Sequence, residues 1–122
     1  MPRILLDQSA PKGLRQILAG HEVRTANEMG WAAIANGLLL DAAEKARFDI
    51  LVTSDQNLRF QQNLAGRRIA VVSLTTNHWL TVKADPSGVV AACESAGEGN
   101  YTIVRFPKPP RSRRPPRSLV SP

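Results

Sequence analysis

Two aspartates each stand at the end of a short apolar run: Arg3 to Asp7 reads RILLD, and Phe48 to Asp55 reads FDILVTSD. Four to six apolar, partly β-branched residues bounded by polar ones read as a buried strand. Parallel strands that lie side by side present their carboxyl ends on one edge of the sheet, where open α/β sheets hold their ligands. Two carboxylates about 4 Å apart repel by on the order of 1 kcal/mol even in water, and by more when shielded from it, so such a pair needs a cation or a shared proton. Asp7 and Asp55 are therefore the first candidates for chemistry. Each has a plainer reading as the cap of a following helix, a position aspartate favours.

The elements that must position this pair follow in chain order. Strand one is Arg3 to Leu6. Helix one has Ser9 as a candidate cap, Pro11 in its first turn and Leu14, Ile17 and Leu18 on its apolar stripe, and Gly20 ends it. HEVRT is a short second strand, and Asn27 to Trp31 a brief helical turn. A longer helix spans Asn36 to Arg47, with Asn36 as its cap, Leu39, Leu40, Ala43 and Ala46 on one face, and Asp41, Glu44 and Lys45 on solvated faces. Strand three is Ile50 to Thr53. The segment QNLRFQQNLAG carries Leu58, Phe60 and Leu64 at helical spacing, and Gly66, Arg67 and Arg68 turn into strand four, Ile69 to Ser73. Asn77 to Lys83 and Val89 to Ala96 read as helices, and Tyr101 to Phe106 as a last edge strand. Alternation of strands and helices predicts a three-layer α/β/α sandwich around a mainly parallel sheet of about five strands.

The chain has 122 residues and 43% apolar composition, enough for one core, and no apolar run approaches the roughly 18 to 20 residues of a membrane helix. Met1 leads straight into a strand without the pattern of a secretory signal, so the expected location is cytoplasmic. Cys93 is the sole cysteine, which excludes an internal disulfide and a thiolate-built zinc site. The net charge of +6 is concentrated at one end: Lys108, Arg111, Arg113, Arg114 and Arg117 lie in PKPPRSRRPPRSLVSP with no acid among them. Residues 1–106 thus form the expected domain and 107–122 a basic, proline-rich tail of polyproline II character, either a phosphate- or partner-binding arm or a solvated extension.

The segments LLDQSAP, GHEVRTANEMGW and NGLLLDAAEKARFDILVTSDQNLRFQQNLAGRRIAVVSL together resemble the PIN-like nuclease superfamily, in particular its small bacterial branch. The likeness covers roughly residues 3–75, and its specific part is FDILVTSDQNL followed by QQNLAGRRIAVV. It implies a Mg²⁺- or Mn²⁺-dependent endoribonuclease fold, of the kind found in RNA processing and in the toxins of toxin/antitoxin pairs. Carried over position by position, the family's aspartates fall on Asp7 and Asp55, which would hold the ion. Gln8, Asn36 and Asn57 stand where relatives often carry acids, so a cation would bind more weakly than in an all-carboxylate site. Asn36 and Asn57 join the aspartates as candidate catalytic residues, and their amides can orient water or phosphate. Gln8, Gln61, Gln62, Arg67 and Arg68 are the candidate substrate-binding residues.

Two other functions come from different classes. One is a catalytically reduced relative that binds RNA or a protein partner through the same surface. The other is a protein-interaction domain, as a homodimer, with the basic tail as its contact arm; an antitoxin protein is the partner that the toxin reading implies. His21 and His78 lack metal-ligand spacing, and Trp31 and Trp79 read as core or interface residues.

Overall fold

A computed structural model describes residues 2–31, 33–34, 36–54, 64 and 66–106, with the backbone alone for Asn36. Its five strands are β1 (Arg3–Leu6), β2 (Glu22–Thr25), β3 (Ile50–Thr53), β4 (Ala70–Leu74) and β5 (Tyr101–Val104). The helices are α1 (Leu14–Ile17), α2 (Asn36–Lys45), α3 (Trp79–Ala84) and α4 (Ser87–Ser95). All strand pairs are parallel and their order is β2-β1-β3-β4-β5. The expected α/β fold with a parallel sheet is therefore present. The segment read as a helix around Leu58 and Phe60, and the tail 107–122, lie outside the described residues.

Near-continuous apolar runs such as ILVT and AVVSL suit strands buried on both faces. Alternate residues of one strand enter different cores, as the two-residue period of a strand requires. Ile4, Leu6, Ile50, Val52, Val72 and Leu74 pack with Leu14 and Leu18 near α1, Val82 of α3, and Val89, Ala92 and Cys93 of α4. Leu5, Leu51 and Val71 pack with Leu39, Leu40 and Ala43 of α2 and with Phe48, Leu64 and Ile69. Trp31 meets Phe48 edge to face, with ring centroids 6.1 Å apart. Arg3 caps this region at the amino edge of the sheet. Its guanidinium lies 4.4 Å from the centroid of Phe48 and donates to the Ala46 carbonyl, while its backbone N–H donates to Asp49 Oδ2 at 2.8 Å.

Several element boundaries differ from the sequence reading. Helix one shrinks to Leu14–Ile17, because Pro11 to Gly13 turn through i to i+3 hydrogen bonds and no side chain caps the helix. Ser9 is committed elsewhere. Helix α2 stops at Lys45, where Arg47 enters the left-handed region at φ 66°. The Arg47 N–H then donates to the Glu44 carbonyl and the Phe48 N–H to the Ala43 carbonyl, a Schellman closure with arginine where glycine is usual. Asp41 and Glu44, read as solvated, both pair with Arg67. Strand β5 ends at Val104, and the Phe106 N–H donates instead to Thr75 Oγ1 at 2.8 Å.

Candidate functional site

The strand order reverses direction at β1. The chain leaves β1 towards β2 on one side and returns to β3 on the other, so the connections diverge and open a crevice at the carboxyl ends of β1 and β3. Asp7 stands there. Its N–H donates to the Val52 carbonyl at 2.8 Å, which continues the β1/β3 ladder one residue past Leu6. The two strands that deliver Asp7 and Asp55 are thus neighbours, while Asp55 itself lies outside the described residues.

Two hydroxyls hold Asp7, and a backbone N–H holds one of them. Thr53 Oγ1 donates to Asp7 Oδ2 at 2.8 Å, and Ser9 Oγ donates to the same oxygen at 2.9 Å. The two hydroxyl oxygens lie 3.1 Å apart, and each hydroxyl has only one proton to give. With both protons committed to the carboxylate, Ser9 Oγ is free to accept the Ser54 N–H at 3.0 Å. Ser54 Oγ in turn donates to the Thr76 carbonyl at 3.0 Å, tying the end of β3 to the segment after β4. Among the described residues no hydrogen bond reaches Asp7 Oδ1.

Register explains why this edge is polar. Leu5, Leu51, Val71 and Tyr101 align across the sheet. Two residues further along each strand, on the same face, come Asp7, Thr53, Ser73 and Ile103. Thr53 and Ser73 are the two fully buried polar side chains among the described residues. Burying a hydroxyl costs free energy unless it is hydrogen-bonded, so this row is stable because Thr53 meets a carboxylate.

A cleft of about 140 Å³ opens beside Asp7, towards β2. Gln8, Lys12, Thr25 and Asn27 line it together with Asp7, and the buried Leu6 and Ala10 supply an apolar wall. Thr25 and Glu28 form a capping box around Asn27: the Glu28 N–H donates to Thr25 Oγ1 at 3.1 Å, and the Thr25 N–H donates to Glu28 Oε1 at 3.0 Å. That backbone bond, with the Arg15 guanidinium beside it, holds the Glu28 carboxyl below the usual range.

The other sequence candidates scatter. Gln8 is exposed and lines the cleft. Asn36 begins α2, and its side chain lies outside the description, as do Asn57, Gln61 and Gln62. Arg67 and Arg68 precede β4 and so occupy the amino edge, roughly 16 to 20 Å from Asp7 along the strands at some 3.3 Å per residue, since Asp7 is level with Ser73. There Arg67 lies 2.7 Å from both Asp41 and Glu44, and the Arg68 N–H donates to Glu44 Oε2 at 2.9 Å. Partial burial acts to raise the Glu44 carboxyl, but the Arg68 N–H and the Arg67 guanidinium outweigh it and hold it below the usual range. The same burial acts against the Arg67 charge, and its two carboxylate partners raise it net. The structure therefore does not bring Arg67 and Arg68 to Asp7.

Ser9, Thr53, Ser54, Lys12 and Asn27 were not singled out as site residues from the sequence. The available signal was positional: Ser9 lies two residues after Asp7, and Thr53 is the last residue of the strand beside it. Compared with family models, with curated proteins and with solved structures, the chain matches none.

The divalent ion implied by the resemblance can be tested against this donor set. Among the described residues no three His, Cys, Asp or Glu side chains converge. The described edge offers a carboxylate oxygen without a hydrogen-bond partner, beside hydroxyl oxygens, and hard divalent cations prefer oxygen ligands. Asp7 fits as one ligand of such an ion.

Proposed function

We propose that the crevice between the ends of β1 and β3 is the site of a divalent-cation-dependent endoribonuclease. The observation that carries this reading is the placement of Asp7 at the topological switch, with Oδ2 held by Thr53 and Ser9 and Oδ1 left for a ligand. The resemblance to PIN-like nucleases supports it independently. Asp7 and Asp55 would hold Mg²⁺ or Mn²⁺, which when bound supplies a Lewis acid for the phosphate and lowers the pKa of a coordinated water. The protein's own contribution is orientation. Thr53 and Ser9 fix the plane of the Asp7 carboxylate, and the Ser54 N–H fixes Ser9, so Asp7 does not have to reorganise when substrate arrives. The amides of Gln8, Asn36 and Asn57 would orient water or phosphate.

The test is Mn²⁺ titration calorimetry and RNA cleavage on the wild type and on Asp7→Asn and Asp55→Asn. Heat of binding and cleavage in the wild type alone support the reading, and equal cleavage in all three proteins overturns it. A second reading follows from amides at three positions where relatives often carry acids: a catalytically reduced domain that binds RNA or a protein partner. RNA binding without divalent-dependent cleavage, unchanged by Asp55→Asn, selects that alternative.

A further inference from the structure

We infer that the cleft beside Asp7 is a subsite for one unstacked nucleobase of the RNA strand, with Lys12 against the neighbouring phosphate. This rests on the proposed nuclease reading for its substrate and on the cleft itself for its chemistry.

Size comes first. Whole small-molecule ligands occupy pockets of roughly 300 to 1,000 Å³. A cleft of about 140 Å³ admits one flat ring and its hydrogen-bonding edge, and leaves sugar and phosphate outside.

The lining has the composition such a ring requires. The buried Leu6 and Ala10 offer apolar contact. Among the described residues the side-chain amides of Gln8 and Asn27 have no hydrogen-bond partner. Thr25 Oγ1 accepts the Glu28 N–H, so its own proton remains available to donate. Each amide offers a donor and an acceptor side by side, and that pair matches the adjacent donor and acceptor on the edge of an unstacked base.

Placement fits as well. Gln8 follows Asp7 directly, so a base in the cleft sits one residue from the carboxylate that serves the phosphate. Asn27 lies between Thr25 and Glu28, whose capping box fixes the backbone that carries it. Lys12, exposed at the mouth, supplies a point charge for the phosphate that stays outside. Single-stranded RNA is read through splayed bases of this kind.

The test is an amide-resolved NMR titration of the full-length protein with AMP, GMP, CMP and UMP, with ribose 5-phosphate as control. The nucleotides are expected to shift the backbone and side-chain amides of Gln8 and Asn27 and to bind about tenfold more tightly than ribose 5-phosphate, the worth of one good amide–base pair. Asn27→Ala should remove most of that gain over ribose 5-phosphate and keep the fold, since Asn27 is exposed. Equal shifts with ribose 5-phosphate, or none at the cleft with any nucleotide, overturn the subsite. The nuclease reading fails separately: if the wild type cleaves no RNA while the nucleotides still shift Gln8 and Asn27, the subsite stands without it. If the wild type cleaves RNA and the nucleotides bypass the cleft, the subsite falls and the nuclease remains.

Discussion

Thr53 Oγ1 donates to Asp7 Oδ2 over 2.8 Å, across 46 residues of sequence and between two adjacent parallel strands. The threonine is fully buried, so this bond joins the sheet core to the crevice. Thr53→Val keeps the shape and removes the donor, and should cost about 1.5 to 3 kcal/mol, the worth of a hydrogen bond to a charged group. Ser9→Ala should cost about 1 to 3 kcal/mol, because it also leaves the Ser54 N–H without its acceptor. Urea unfolding checks both. The double variant should lose less than the two single losses combined, by about 0.5 kcal/mol or more, because both act through one carboxylate oxygen.

At the amino edge, Arg67→Met should remove about 1 to 2 kcal/mol at neutral pH by breaking its contacts with Asp41 and Glu44. The sign of its pH dependence follows from Glu44, whose folded-state pKa is lowered. A depressed carboxyl contributes stability above its unfolded value, about 4.3, and loses it as pH falls through the folded value, because the unfolded chain takes up the proton first. Wild type and variant should therefore differ most at pH 6 to 7 and converge in acid, in denaturant melts run over that range.

Gly13 lies under Trp79. A Cβ built on Gly13 would stand 2.4 Å from the indole carbons Cε2 and Cζ2, closer than any packed contact allows. Gly13→Ala should cost about 1 to 3 kcal/mol by overpacking, and Trp79→Leu in the same chain should recover part of it. Thermal melts of the two single variants and the double variant decide this.

Arg47 is the one described non-glycine residue with positive φ. A left-handed conformation costs an L-residue roughly 1 kcal/mol, so Arg47→Gly should stabilise the protein by up to about 1 kcal/mol if the Schellman closure is kept. Loss of stability in urea melts would show that the arginine side chain contributes more than its backbone costs.

The strands were legible because their signal is local. RILL, ILVT and AVVSL are apolar runs of the length that a buried parallel strand needs, and all three occur within a residue of where they were read. Asp7 was legible for the same reason, as the polar residue that ends such a run. Helix ends were less so, since neither Arg47 nor Pro11 to Gly13 carries the usual stop or start residue in its place. The charges on α2 were read as solvated because helical spacing shows which face a residue occupies and not what the rest of the chain brings against it. Arg67 arrives from 23 residues away to meet Glu44.

By itself the sequence determined the α/β class, the apolar faces and one aspartate at a strand end, because period and local composition record which residues must leave water. Only the tertiary structure decided that β1 lies between β2 and β3, and hence that Ser9, Thr53 and Ser54 gather around Asp7 while Arg67 and Arg68 go to the opposite edge. Strand order depends on crossovers and packing between residues far apart in the chain, and nothing in the local spacing of side chains specifies it.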